Sequence, residues 1–347
     1  MTLVELLVAF MVFVLLITAL IALTTTSMDS WAQGEARKDI YDRALILLDT
    51  ITDDVRNAYA ENEVFIEGQR ERQVPAFIGD FDANRQHRLR FVRTGTPRMG
   101  RAFQIPVSNT TTLMNPAVYY ASDAWEVAYA MDTDPKVNIL YRAIRPFDRE
   151  TGATLLRTTG YDRQIPANFR PQEKGVLHVG FRYWTQYTTT WDDKVKITQT
   201  GPGSRAGSGP EVRWDSTRQK EKNFYFHKKE YDRMNPDFVY PEIVQVTICL
   251  ESTVSSMAGF KLAEECLPTA ASLRMNGTQG LPDAPAMIKV DAEWMEYGGM
   301  TLNELTGLKR GLRGTARQSH QTHSVVHFGE TFTTEVRIPV YREAQEP

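Results

Sequence analysis

The N-terminus of the chain is an uninterrupted apolar segment, and it limits the fold more than any other feature. From residue 6 to residue 23 every residue is apolar except Thr18, and no proline or glycine occurs. As an α-helix this segment spans roughly 27 Å, close to the hydrocarbon thickness of a bilayer. We therefore predict a membrane-spanning helix. A cleaved signal peptide is disfavoured because its apolar core is shorter and basic residues precede it, whereas the first basic residue here is Arg37.

One acidic residue, Glu5, lies at the start of this apolar segment. A carboxylate at the centre of a spanning helix costs about 2.5–3.5 kcal/mol, and less near its end, so such a residue usually has a partner. The first 30 residues contain no lysine, arginine or histidine. The nearest cation is then an α-amino group, of this chain or of a neighbouring copy, and we expect Glu5 to pair with it. The alternatives are an acid that simply lies at the membrane interface, and an ordinary signal anchor that gives no reason for Glu5.

Residues 2–9, TLVELLVA, resemble the amino-terminal signature of type IV pilins and type II secretion pseudopilins. The resemblance implies that a prepilin peptidase cuts before Met1 and methylates the new amine. It also implies that Glu5 neutralises the amine of an adjacent subunit as the helices stack into a filament. Most members begin with Phe, and many major pilins carry a proline where this chain has Ala22. Met1 is either the processed terminus or an initiator, and the sequence leaves both readings open.

Beyond the apolar segment the helical pattern continues in amphipathic form. Apolar residues recur at steps of three and four, which places them on one stripe of a helix. The stripe consists of Trp31, Ile40, Ala44, Leu47, Leu48, Ile51, Val55 and Ala58. Charged residues fall mostly on the other side, namely Asp39, Asp42, Arg43, Asp49, Asp53, Asp54 and Arg56. We predict one helix of about 60 residues, with residues 1–28 in lipid and residues 29–62 packed on a soluble domain.

The remainder of the chain is β-rich. Apolar and polar residues alternate with period two in several runs that turn-forming clusters separate. Strands are expected at 89–93, 125–131, 138–144, 177–186, 243–250 and 332–340. We predict an α+β fold in which the long helix packs on the antiparallel sheet of a head, residues 63–285. A small β module at 286–330 is inserted in this head as a docking surface or a stabilising hairpin, and the final strand lies in 331–347.

Three later segments resemble minor subunits of the same family, the J-type pseudopilins or W-type minor pilins. They are residues 49–59, 241–251 and 334–342. The resemblance implies a non-enzymatic, single-pass inner-membrane subunit with a periplasmic or extracellular head. With other pilin-like subunits, it would initiate or cap a type II secretion pseudopilus or a type IV pilus. The alternative is a membrane-anchored binding head, an adhesin or a receptor for secreted cargo, motivated by Tyr187 and Trp191 in a Thr-rich turn.

Composition and motifs argue against several other classes. Forty Lys and Arg against 43 Asp and Glu give a net charge of −3, without the basic surface that nucleic-acid binding needs. The glycine-rich segment 201–210 fits neither dinucleotide nor P-loop spacing, and we interpret it as a flexible loop. No nucleophile elbow or metalloprotease motif occurs, so nothing in the sequence favours an enzyme.

Two side-chain groups could carry other roles. Cys249 lies on a predicted strand and Cys266 follows across a loop; in an exported domain a disulfide worth about 3 kcal/mol is favoured over two free thiols. A histidine group lacks the helix and general-base glutamate of a zinc hydrolase, and we interpret it as a loop coincidence. Its members are His320, His323 and His327.

A short acidic run resembles the start of a calcium loop. Asp80, Asp82 and Asn84 have the spacing of its first ligands. However, Arg85 replaces the glycine of such loops and Phe91 replaces the closing glutamate. We therefore expect no cofactor, and calcium is the one alternative.

Overall fold

A long helix followed by antiparallel strands makes up the chain, and the predicted α+β class is confirmed. The structure, a computed structural model, describes residues 3–59, 77–82, 84–95, 124–147, 169–184, 212–215, 240–252 and 259–339. Helix α1 (Leu3–Arg56) comes first. Eight strands of the head follow: β1 (Phe77–Phe81), β2 (His87–Thr94), β3 (Ala124–Met131), β4 (Ile139–Pro146), β5 (Phe169–Lys174), β6 (Val176–Trp184), β7 (Val212–Asp215) and β8 (Ile243–Glu251).

The later strands form the module and then return to the head. The module contains β9 (Ser272–Arg274), β10 (Ala286–Val290), β11 (Glu293–Tyr297), β12 (Gly299–Met300), β13 (Glu304–Thr306), β14 (Lys309–Leu312) and β15 (Val326–His327). The last strand described, β16 (Gly329–Arg337), belongs to the head. The head has two sheets, of order β5-β4-β3-β2-β1-β7 and β16-β8-β6, and the module has two more, of order β14-β11-β10-β15 and β12-β13-β9.

All six predicted head strands are confirmed, with their ends shifted by a few residues. Three further strands, β1, β5 and β7, were not predicted. In β1 every residue is buried, so the sequence FIGDF shows no alternation between an apolar and a polar face. Strand β5 lies at a sheet edge and has the sequence FRPQEK, which includes Pro171. This polar, proline-containing composition is typical of a loop.

The second half of α1 packs on the head through the predicted stripe. Ile40, Ala44, Leu47, Ile51, Val55 and Ala58 are buried in one apolar cluster with residues of both head sheets. Trp31 is 72% exposed, so its inclusion in the stripe was wrong. The helix also ends at Arg56, before the predicted boundary at 62. It ends there because Ala58 pairs with Arg93 of β2 and the Tyr59 amide donates to the Val92 carbonyl, which directs the chain along the sheet.

The module is larger than predicted. Its apolar core includes Phe260, Leu262 and Leu273 together with the later strands, so the module covers 259–328 and the boundary at 286 was wrong. Residues 261–275 pair with the rest of the module only through isolated bridges and one three-residue strand. Such short pairings produce no period-two pattern in the sequence, so this part of the module was not predicted. The module lies between β8 and β16, which pair directly through Glu251 and Gly329. It therefore replaces the turn of a hairpin.

Candidate assembly surface

The first half of α1 is apolar and exposed. Each large apolar side chain described in residues 3–23 is at least 40% exposed. Within the described ranges, α1 is the one helix long and apolar enough to cross a membrane, and none of its apolar window is buried in the structure. By length and composition α1 could therefore span a bilayer once.

Hydroxyl groups at the end of this segment are satisfied within the helix. Thr18 Oγ1 donates to the Val14 carbonyl at 3.0 Å, and Thr24 Oγ1 donates to the Leu20 carbonyl at 2.8 Å. Thr25 and Thr26 make equivalent bonds one turn back along the helix. A hydroxyl bonded in this way leaves no unpaired donor in an apolar medium, so these threonines are compatible with lipid contact.

One of the two residues predicted to mediate assembly, Glu5, lies at the very start of α1. Glu5 is in the first turn of the helix, which begins at Leu3. Backbone amides without an intrahelical partner and a partial positive charge occur in that turn, and both favour a carboxylate. Met1, the predicted processing and methylation position, lies outside the described residues. The ion pair of Glu5 with a leading amine stays a prediction.

The head-bound half of α1 has a second apolar face. Tyr41, Leu45 and Ile46 are each more than half exposed although they neighbour buried positions. The Tyr41 ring meets Phe332 of β16 edge-on at 5.2 Å, whereas Leu45 and Ile46 point away from the sheet. Sequence reasoning assigned the outer side to charged residues and missed this face.

A buried carboxylate attaches α1 to the larger sheet. Asp54 was predicted on the charged outer side, but it is fully buried, and that assignment was wrong. Arg142 of β4 donates to it through Nε at 2.8 Å and Nη2 at 2.7 Å, and Tyr129 Oη of β3 donates at 2.5 Å. Arg93 of β2 completes the ion pair. Burial first, and then the charge of Asp54, raise the pKa of Tyr129, so its hydroxyl stays protonated and donating.

The suggested calcium loop is instead an ion-pair site. Both oxygens of the Asp80 carboxylate accept from Arg88 at 2.9 Å, and Oδ2 also accepts from Arg90 Nη2 at 2.5 Å. Asp82 Oδ1 accepts the backbone amides of Asn84 and Gln86, which closes the turn between β1 and β2. Because arginines already hold Asp80, the calcium interpretation was wrong. In the described ranges no group of three or more His, Cys, Asp or Glu could hold a metal.

The three histidines do not form one site, and two of them pair with different carboxylates. His320 is buried between two carboxylates, with Nδ1 2.8 Å from Asp291 Oδ2 and Nε2 3.0 Å from Glu293 Oε2. His327 Nδ1 lies 2.6 Å from Glu251 Oε1, across the contact between module and head. His323 occupies a turn with φ of 70°. His320 and His327 therefore have structural partners of their own and share none with each other.

Glu293 organises the polar interior of the module. Arg310 donates to its two oxygens at 2.8 and 2.6 Å, and the amides of Gly311 and Gln318 donate at 3.1 and 3.0 Å. Burial alone would raise the pKa of Glu293. The hydrogen bonds from Arg310, His320 and the Gln318 amide outweigh burial and lower this pKa to about 2.

The favoured disulfide does not form: Cys249 and Cys266 are both free and buried, so that prediction was wrong. Cys249 packs with Leu177 and Trp294 where head and module meet. Cys266 belongs to the module core, and its Sγ lies 3.3 Å from Arg310 Nη1. The two thiols thus face different clusters. Burial raises the pKa of both, which keeps them protonated and unreactive.

We expect both cysteines to be alkylated by iodoacetamide after denaturation without any reductant. Intact mass should then show two additions, and prior treatment with dithiothreitol should leave this mass unchanged. A chain that gains the two additions only after reduction would contain the bridge.

The features that motivated a binding head, Tyr187 and Trp191, lie outside the described residues, as does the loop 201–210.

Comparison of the chain with protein-family models, with curated proteins and with solved structures gave no match. The family likeness therefore depends on residues 2–9 and on the looser similarities later in the chain.

Proposed function

We propose that the chain is a minor pilin-like subunit that initiates or caps a filament from the inner membrane, as a pseudopilus or pilus component. The observation that supports this most is that an exposed apolar segment and a head-bound segment belong to one unbroken helix, α1. Its 54 residues reach about 80 Å. The proposed mechanism is assembly by helix stacking, and the head needs no chemistry of its own.

In this mechanism Glu5 selects and aligns the neighbour. A carboxylate in the first turn, near or within lipid, is stabilised by pairing with the leading amine of another subunit. The buried bonds of Asp54 then fix α1 to the sheet, so any shift of the membrane half moves the head with it. The apolar face at Leu45 and Ile46 is available to an adjacent helix. The partners are thus other pilin-like subunits and inner-membrane lipid.

We expect Glu5→Ala to reduce co-purification with other pilin-like subunits by about tenfold or more, because the partner amine loses its counter-charge. The measurement is detergent extraction of membranes followed by affinity purification of the full-length chain. Glu35→Ala is the matched control, since Glu35 is an exposed acid of the same helix and should not affect association.

Unchanged association of Glu5→Ala, with the chain still in the membrane, would contradict the proposed pairing. That result would favour the second candidate, a binding head for surface ligands or secreted cargo that uses α1 only as an anchor. The inserted module at 259–328 is compatible with that alternative, because insertions at hairpin turns often carry binding surfaces.

A further inference from the structure

A small cavity of about 20 Å³ lies where the module meets the head. The ionisable side chains that line it are all basic: Arg85 and His178 from the head, and Lys289 and Arg313 from the module. No aspartate or glutamate lines it in the described part of the chain. Positive charge thus converges on a small, partly open space between the module and the head. Neither the filament mechanism nor the packing of the two cores explains this.

Lys289 is the most deeply buried of these cations, with 2% of its surface exposed. Among the described residues its ammonium makes one hydrogen bond, to Asn138 Oδ1 of the head at 2.7 Å. Burial lowers the pKa of Lys289 to about 8, although Cys249 and the carboxylates of Glu251 and Asp134 act in the opposite direction. Those two carboxylates lie outside the cavity lining, and Glu251 is bonded to His327.

Arg313 lines the same cavity and also faces the Cys249 thiol. Its Nη2 donates to Thr331 Oγ1 at 3.1 Å, and its guanidinium carbon lies 4.1 Å from the centre of the Trp294 ring. Its Nη1 is buried and has no hydrogen-bond partner among the described residues. A buried donor without an acceptor is unfavourable, particularly on a charged group, so the site lacks an acceptor.

We propose that the cavity binds one small monovalent anion, of the size of chloride, between Lys289 and Arg313. A volume of about 20 Å³ is enough for one particle of roughly water size, so the site suits a small anion. An anion would accept from both cations and compensate the charge that burial leaves unneutralised. Arg85 is exposed beside the cavity, in a turn with φ of 60°, and places a further positive charge there.

Occupancy of this site would fasten the module to the head. Arg85 and His178 come from β1–β2 and β6 of the head, whereas Lys289 and Arg313 come from the module. An anion between them therefore binds only the docked arrangement and stabilises it by mass action. This inference does not depend on the proposed filament function.

The test is thermal unfolding of the full-length chain in detergent, in sodium chloride and in sodium gluconate at equal ionic strength. At about 150 mM, chloride should raise the melting temperature by about 3–5 °C over gluconate, and bromide should act similarly. Equal melting temperatures in chloride and gluconate would overturn the proposal and leave a water in the cavity.

Variants separate this site from general salt effects. Lys289→Met should abolish the rise in melting temperature that chloride gives over gluconate, which we call the chloride increment. Lys309→Met, which changes an exposed lysine of the same sheet, should keep it. If Lys289→Met does not fold, Arg313→Gln serves in its place. An unchanged increment in the cavity variant would contradict the site.

Crystals soaked in bromide should show an anomalous peak between Lys289 and Arg313, and a map without such a peak would also contradict the site.

The chloride increment should also be larger at pH 7 than at pH 9. Lys289 has a pKa of about 8 and loses its charge as the pH rises through that value, so the anion loses one of its two partners. Arg313 stays charged over this range, which leaves a smaller increment. An increment equal at both pH values would show that Lys289 is not a ligand.

Discussion

Asp54→Asn should lower the free energy of unfolding of the head by about 3–5 kcal/mol, a large fraction of the stability of a typical domain. Asp54 is fully buried and is the counter-ion of Arg142 and Arg93. An asparagine in its place removes the carboxylate charge that the buried Arg142 guanidinium faces, and it leaves Arg93 with Asp53 as its acidic partner. The measurement is urea denaturation of the full-length chain in detergent, followed by tryptophan fluorescence.

The control for this prediction is Asp42→Asn, the same change at an exposed position of the same helix. It should alter stability by less than about 0.5 kcal/mol. Equal denaturation midpoints for the two variants would mean that the Asp54 ion pairs do not hold α1 to the sheet. Selective loss in Asp54→Asn would show that the helix and the head form one cooperative unit.

Glu293→Gln should destabilise the module by a similar amount, about 3–5 kcal/mol, because Arg310 and His320 lose the carboxylate between them. Hydrogen exchange should report the loss through faster exchange of amides in residues 259–328, with the head unaffected. Glu296→Gln is the matched control on the same strand. Glu296 forms an exposed pair with Lys309, so this variant should cost less than about 1 kcal/mol.

The same carboxylate makes the module sensitive to acid. The pKa of Glu293 falls from an ordinary 4.5 to about 2 in the folded chain. Its stabilising contribution is therefore complete above pH 4.5 and is lost as the pH falls towards 2. The protection of module amides, corrected for the intrinsic exchange rate at each pH, should fall across that range. In Glu293→Gln this acid-dependent loss of protection should be absent. Parallel acid profiles for the two proteins would refute the assignment.

The sequence predicted elements whose pattern is local. Strands β6 and β8 alternate with period two over nine residues each, and the apolar stripe of α1 repeats with the helical period. Both patterns arise because one face of the element is buried, so each can be read without knowledge of the partner. Strand β1, buried on both faces, has no such pattern.

The polar sites could not be predicted because their partners are distant in sequence. Asp54 looks like an outer helix residue until Arg93 and Arg142, 39 and 88 positions later, are placed beside it. The same holds for Lys289, whose hydrogen-bond partner Asn138 is 151 positions away. For Cys249 and Cys266, proximity in sequence led to a wrong prediction of a disulfide. The strand and the module core place their side chains in separate clusters.

The cross-strand pairing of Glu251 with Gly329 has a mechanical consequence. The polypeptide enters and leaves the module at one point of the sheet, and a Cβ on Gly329 would lie only 1.9 Å from the Leu250 carbonyl oxygen. Tension between the apolar end of α1 and the far end of β16 would therefore pass through the head sheet and bypass residues 259–328. The module would carry little of such a force. A tight turn could replace it while β8 and β16 keep their register.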